Sequence, residues 1–231
     1  MRQSTLHASI VLLVSLIGAT RANCEFLLQC NPPALGNQDT GLSVEPRSAD
    51  ENSRIRQAPH GAARRGKHTL LVHWAGGVQT FTDKPPYDEP LDGVAWTYCG
   101  YSPTTGFHLI GYRNIDKFTG KLVNEKTGEL IPGGHAVAFS PNLEQYIAYE
   151  QPDGQDGETM YLFSRKGVLL WNGFSGLLSR DRKAVLADFD DVHWDLSGKL
   201  TAEFRDPNGK KQTLKLVDEK DGHLEWQPQN R

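Results

Sequence analysis

The amino-acid sequence predicts an all-β, antiparallel protein built from three to four blade-like units, in the manner of a β-propeller. Two observations predict this fold class. After residue 66, short apolar runs are separated by segments that contain Gly, Pro, Asn or Asp, a pattern typical of strands and turns. The same order of strands and turns recurs about every 40 residues, with about four strands in each unit, as in propeller blades. A β-sandwich made from the same hairpins is the alternative.

The first predicted unit is a hairpin, with strands at 69–74 and 78–82 on either side of a Gly76-Gly77 turn. Three longer units follow, and their strands are predicted at 94–99, 107–112, 121–124, 135–139, 146–149, 160–163, 168–171, 192–194, 199–204, 213–216 and 224–226. Residues 173–191 fit either a short helix or a short strand. No segment after the N-terminal apolar run keeps the period of an amphipathic helix.

Residues 1–22 have the three parts of a secretory signal peptide. Arg2 precedes an apolar run at 8–19, and small residues lead to Thr20 and Ala22, which suit a cleavage site after residue 22. The run is shorter than the roughly 20 residues that a transmembrane helix needs. We therefore predict an exported protein, periplasmic or secreted, with no membrane span in the mature chain. An uncleaved anchor is the alternative.

The segment from 23 to 66 is predicted to be a flexible tail, and 67–231 a single β-rich domain. The tail is rich in Pro, Gly, Asn, Ser and Arg and has almost no aromatic residues, so it has little apolar surface to bury. The formal net charge of −3 argues against a nucleic-acid binder, which usually carries a basic face.

The chain has three cysteines, Cys24, Cys30 and Cys99, and export makes a disulfide plausible. A Cys24–Cys30 bond would close a small loop in the tail, and this pairing is the prediction, with Cys99 buried and unreactive. A Cys30–Cys99 bond, which would tie the tail to the folded body, is the alternative. Arg21 and Asn23 fit poorly before a lipidated cysteine, which disfavours a lipoprotein anchor at Cys24.

One stretch resembles the blades of TolB-like and WD40-like propellers. Those blades carry a Phe-Ser-Pro-Asp-Gly turn between strands, and here residues 139–142 read Phe-Ser-Pro-Asn, with Leu143 in place of the Gly. The chain also resembles a group of exported bacterial proteins without an established activity. That second resemblance is carried by Tyr98, Gly100, Tyr101, Gly106, Phe107 and His108. Together the resemblances cover about half of the chain and imply a fold rather than a function.

The aromatic residues are the strongest candidates for a binding surface. Trp96, Tyr98, Tyr101 and Tyr112 lie on neighbouring predicted strands, and exposed Tyr and Trp give a large contact area at low entropic cost. The alternative is that most of these side chains are part of the core.

Acidic loops are the candidates for a metal site. Asp153, Asp156 and Glu158 lie in one predicted hairpin loop, and calcium binds several oxygen ligands from such turns. The spacing departs from that of an EF-hand, so we predict no cofactor, with calcium at this loop as the alternative. A second acidic cluster comprises Asp188, Asp190, Asp191 and Asp195.

These observations predict an exported, non-enzymatic binding protein. Its partner would be a protein of the cell envelope, and an inhibitor or immunity-type role fits a rigid β-domain without a complete catalytic motif. The alternative is an envelope polysaccharide-binding protein or hydrolase that uses the acidic clusters, because glycoside hydrolysis needs two carboxyl groups. The sequence leaves the oligomeric state open.

Overall fold

The computed structural model describes residues 26–30, 49–87, 93–114, 117–151, 158–179, 185–218 and 223–228. They form one helix, α1 (Ala49–Gln57), and eighteen strands: β1 (Phe26–Gln29), β2 (Ala63–Arg65), β3 (Thr69–Trp74), β4 (Gly77–Thr82), β5 (Val94–Ser102), β6 (Phe107–Asn114), β7 (Lys117–Asn124), β8 (Leu130–Gly133), β9 (Ala136–Phe139), β10 (Gln145–Glu150), β11 (Thr159–Ser164), β12 (Leu169–Phe174), β13 (Gly176–Leu178), β14 (Val185–Asp188), β15 (Asp191–Trp194), β16 (Leu200–Arg205), β17 (Lys211–Asp218) and β18 (Leu224–Pro228).

The strands form five antiparallel sheets, three of which contain a four-stranded meander. Sheet one has the order β2-β3-β4, sheet two β5-β6-β7-β8, sheet three β1-β9-β10-β11-β12, sheet four β13-β14, and sheet five β15-β16-β17-β18. The three meanders coincide with the three longer units predicted from the sequence. The prediction of an all-β, antiparallel fold with three to four propeller-like units is therefore confirmed.

Side-chain carboxylates shape the turns of the last meander. The Asp195 carboxylate accepts hydrogen bonds from the backbone N–H groups of Ser197 (2.8 Å) and Lys199 (3.0 Å). In the next turn Asp206 accepts from Asn208 (2.9 Å) and Lys210 (3.0 Å) in the same way. An aspartate that binds the backbone two and four residues later stabilises a tight reversal, which is why these segments separate strands.

Three apolar clusters hold neighbouring sheets together. Leu70 and Val72 of sheet one pack with Ile110 of sheet two. A second cluster joins sheet two to sheet three, and a third joins sheet three to sheet five through Ile147, Met160, Leu200 and Leu216, among others. The three clusters thus connect sheets one, two, three and five in series.

The prediction of a flexible tail is wrong for β1, which lies at 26–29, and for residues 49–65, which contain α1 and β2. Buried ion pairs and apolar contacts both hold this segment against the rest of the chain. Glu51 and Asp83 are each only 3% exposed, and both carboxylates contact the Arg65 guanidinium, at 3.1 and 3.3 Å. Ala63 and Ile55 add apolar contacts to the first cluster. The signal segment 1–22 and residues 31–48 of the tail lie outside the described residues.

Candidate functional site

A cleft of about 400 Å³ lies between β1, the end of α1 and β5. This volume falls in the range of about 300–1,000 Å³ that is usual for ligand sites. Its lining comprises Leu27, Leu28, Gln29, Arg54, Gln57, Ala58, Cys99, Gly100 and Tyr101. Among the described residues, the lining therefore combines apolar groups, one cation, two amides and one phenol, and it includes no acidic side chain.

A disulfide joins two walls of the cleft. Cys30, directly after β1, is bonded to Cys99 of β5, with their Cα atoms 4.8 Å apart. The predicted Cys24–Cys30 pairing is therefore wrong, and Cys99 is not a free thiol. A β-bulge directs the Cys99 side chain out of the regular alternation, because Tyr98 and Gly100 pair with consecutive residues of β6. Gly111 leaves room for both sulfur atoms, since a Cβ there would lie 2.8 Å from the Cys30 Sγ.

Arg54 connects α1 to both strands at the disulfide. One guanidinium nitrogen, Nη1, donates to the carbonyl oxygens of Gln29 (2.8 Å) and Cys99 (3.2 Å). The contact fixes the helix against β1 and β5 at the point where those strands are covalently joined.

The buried ion cluster of Glu51, Arg65 and Asp83 fixes the same helix to the edge of β5. Glu51 accepts a hydrogen bond from the Tyr98 N–H (2.8 Å), and Asp83 accepts one from the Trp96 N–H (2.9 Å). Arg65 donates to the Trp96 carbonyl. The three side chains thus replace a neighbouring strand along this edge and hold the wall of the cleft in place.

Tyr101 connects the cleft to a polar network inside sheet two. Its hydroxyl donates to Glu125 Oε2 at 2.6 Å, and its ring lies against that of His108, with centroids 4.6 Å apart. Burial, together with the hydrogen bond and charge of Glu125, raises the pKa of Tyr101 to about 12. The phenol therefore stays protonated across the physiological pH range, as a hydrogen-bond donor.

The four aromatic residues predicted to bind do not form one surface. Tyr98 is fully buried, so its prediction as a binding residue is wrong. Trp96 and Tyr112 are half-buried and pack against each other, with ring centroids 4.7 Å apart, and Trp96 also packs on Phe81. Of the four, Tyr101 is the residue that lines the cleft.

The predicted calcium loop is only partly described. Asp153 and Asp156 lie outside the described residues, and Glu158 lies 2.9 Å from the Nε2 atom of the buried His135. Across the described ranges, no group of three or more His, Cys, Asp or Glu side chains is arranged to hold a metal ion.

Three members of the second acidic cluster contact separate basic side chains. Asp190 lies 3.6 Å from Arg205, Asp191 lies 2.8 Å from His193, and Asp195 lies 2.8 Å from Lys215. Each of these three carboxylates thus has its own basic neighbour in sheet five. This arrangement gives no support to the hydrolase alternative.

Sequence reasoning missed most of the cleft. Leu27, Arg54 and Gln57 lie in the segment predicted to be a flexible tail. The one available signal was the polar run at the end of the tail, which carries several arginines. Hydropathy alone assigns such a run to solvent.

Comparison with known proteins gives only weak structural likeness. No family model matches the chain, and no curated protein matches it. Among solved structures, the chain is similar to a protein from Bacteroides fragilis described as a candidate 6-phosphogluconolactonase, at 16% identity and a TM-score of 0.33. The match covers 68% of this chain and 49% of that one, so the chain spans about half of its length. Among the described residues, no helix is long and apolar enough to cross a bilayer.

Proposed function

We propose that this protein is an exported binding protein that engages a protein partner of the cell envelope through the cleft between β1, α1 and β5. The observation that supports the proposal is the preformed cleft itself. Its lining mixes Leu27, Leu28 and Ala58 with Arg54 and Tyr101, the combination of apolar surface and few polar groups that binding sites use. The secretory character of residues 1–22 supports export.

The rigidity of the walls favours binding. The Cys30–Cys99 bond, the Arg54 contacts and the ion cluster around Arg65 attach β1 and α1 to β5 of sheet two. A preformed site loses little conformational entropy when a partner binds, and this increases affinity. An inhibitor or immunity-type role is the form of binding that we propose, because a rigid concave surface suits tight engagement of one partner protein.

The polar side chains of the cleft hold the site together rather than react. Arg54 donates to backbone carbonyls, and Tyr101 donates to Glu125. A phenol with its pKa raised to about 12 is a poor general base near neutral pH. We therefore propose binding rather than catalysis at this site.

The test fills the cleft from the exposed last turn of α1. The variant Gln57→Trp places a large ring in the lining, whereas Asn52→Trp changes an exposed residue of the same helix that does not line the cleft. Each purified, disulfide-bonded protein is cross-linked to cell-envelope extract, and captured proteins are identified by mass spectrometry.

We expect a partner that the wild type and Asn52→Trp capture and that Gln57→Trp loses by at least about tenfold, since the cleft would be occupied. Equal capture by all three proteins, or no specific capture, would contradict the proposed function.

A further inference from the structure

The outer edge of β1 faces the cleft with unused backbone groups. The Cys30 N–H donates to the His135 carbonyl at 2.7 Å, so the hydrogen-bonded pairs with β9 fall on Cys30, Leu28 and Phe26. In an antiparallel ladder the residues between such pairs direct their N–H and C=O groups to the opposite side. Leu27 and Gln29 therefore point away from β9. The Gln29 carbonyl accepts from Arg54, which agrees with this direction.

The facing strand, β5, has a similar open position. Gly106 O accepts from Glu125 N, so β6 bonds to β7 through even-numbered residues and to β5 through Phe107 and Leu109. These two residues pair with Ser102 and Gly100. Tyr101, between them, directs its backbone N–H and C=O away from β6, and it lines the cleft.

These open positions differ from the rest of the β5 edge. At Trp96 and Tyr98, outward backbone groups are bound by Asp83, Glu51 and Arg65. At the cleft, the part of the chain that the structure describes supplies no partner for the backbone of Leu27 or Tyr101, or for the Gln29 N–H. Open strand edges are the elements to which an added strand binds.

We propose that the cleft accepts an extended peptide segment of the partner protein, which adds as a strand along β1 and is faced by Tyr101. Strand addition satisfies alternate backbone groups of both chains and gives affinity without a fixed sequence. Leu27, which is 46% exposed, offers an apolar contact beside this edge. The inference rests on the proposed function and names the form in which the partner enters.

The first test pans a phage-displayed library of random linear peptides against the full disulfide-bonded protein, with Gln57→Trp used for counter-selection. We expect selected peptides that bind the wild type and bind Gln57→Trp much more weakly, because the added ring occupies the cleft. Amide hydrogen exchange of the complex is expected to slow at Leu27, Gln29 and Tyr101. Leu28, whose amide already bonds to β9, serves as the internal control.

The second test removes single backbone donors. N-methylation of the selected peptide at alternate residues is expected to abolish binding, whereas methylation at the residues between them is tolerated. In the protein, Leu27→Pro removes an N–H that makes no bond to β9, and we expect affinity to fall about tenfold. Leu27→Ala removes the same apolar side chain but keeps the N–H, so it is the matched control and is expected to lose less affinity than Leu27→Pro.

Three results would each overturn strand addition. The first is that no selected peptide needs an open cleft. The second is that hydrogen exchange at the Leu27, Gln29 and Tyr101 amides is unchanged in the complex, and the third is that the peptide tolerates N-methylation at every position. If the envelope partner is still captured in a Gln57-dependent manner, such results contradict the peptide inference alone and leave the proposed function standing. The N-methylation series decides the matter even if Leu27→Pro fails to fold.

Discussion

His108 is a fully buried imidazole with one hydrogen-bond partner. Its Nδ1 atom lies 2.9 Å from the Tyr98 hydroxyl. Burial lowers the pKa of His108 to about 4, although the charge of Glu125 acts in the opposite direction. Burial also raises the pKa of Tyr98 well above its usual value. A protonated phenol and a neutral imidazole therefore share one hydrogen bond in the core.

The lowered pKa of His108 makes the free energy of unfolding depend on pH. Because the folded pKa lies below the usual value of 6.5, the unfolded chain binds a proton first as the pH falls. The contribution of the neutral imidazole is complete above about pH 6.5 and is lost progressively down to about pH 4. We expect the stability difference between wild type and His108→Gln to shrink by on the order of 2–3 kcal/mol across this range.

Urea unfolding at several pH values measures the effect. His73→Gln, at an exposed strand position, is the control and should follow the wild type. A stability difference that is constant between pH 7 and pH 4 would show that His108 titrates normally in the fold.

Leu143 occupies the turn position at which the resembling propeller blades have a glycine. In the Phe-Ser-Pro-Asp-Gly turn of those blades a Gly follows the Asp, and here Leu143 adopts a φ of 58° in the Gly position. This conformation is unfavourable for a residue with a side chain. The Leu143 side chain packs against the second apolar cluster, and the Arg165 guanidinium donates to its carbonyl at 3.1 Å, which offsets part of that cost.

At the level of elements, the strands with strong turn signals were predictable. The Asp-x-Ser-Gly and Pro-Asn-Gly turns determine where the chain reverses. The alternation of Leu214 and Leu216 with Lys215 determines which face of β17 is buried. These signals are local in sequence, so periodicity and turn chemistry detect them.

The cleft was not predictable because its contacts are non-local and polar. Arg65 meets Glu51 from α1 and Asp83 from the loop after β4. Neither partner has a hydropathy pattern that distinguishes it from a solvated charge. Likewise β1 has only four residues and pairs with a strand far along the chain, so its short apolar run has no signal of its own.

The disulfide gives the next prediction, at the level of β1 and β5. Cys30 and Cys99 are 69 residues apart, and a cross-link that closes a loop of this size restricts the unfolded chain by about 4 kcal/mol in the chain-entropy description. We expect the double variant Cys30→Ala, Cys99→Ala to lose on the order of 2–4 kcal/mol, measured by guanidinium unfolding.

Cys24→Ala is the control, because Cys24 takes no part in this bond. A large loss of stability in Cys24→Ala together with a small loss in the double variant would contradict the Cys30–Cys99 pairing.

At the level of the whole molecule, each apolar cluster belongs to two sheets. The third cluster joins Ile147 and Met160 of sheet three to Leu200 and Leu216 of sheet five. The last meander therefore buries its inner face against the preceding one rather than within itself. Truncation of a buried apolar side chain in either sheet is therefore expected to destabilise both sheets.

Leu216→Ala tests this coupling. Truncation of a buried leucine costs about 2–5 kcal/mol, and we expect loss of that size with tryptophan fluorescence and far-UV circular dichroism changing at one midpoint. Leu196→Ala, at a turn position that is 94% exposed, is the matched control and should change stability by less than about 0.5 kcal/mol. Separate midpoints for the two signals in Leu216→Ala would show that sheet five unfolds independently.

The pairing of β1 with β9 has a consequence for the order of folding during synthesis. β1 leaves the ribosome first, while its partner, Ala136–Phe139, follows more than a hundred residues later. Cys99 precedes β9 in the chain, so the disulfide can form before β9 exists. An early oxidation step then holds β1 beside β5 and reduces the entropic cost of its later long-range pairing. The redox state of the compartment thereby influences how fast the nascent protein matures as well as how stable it becomes.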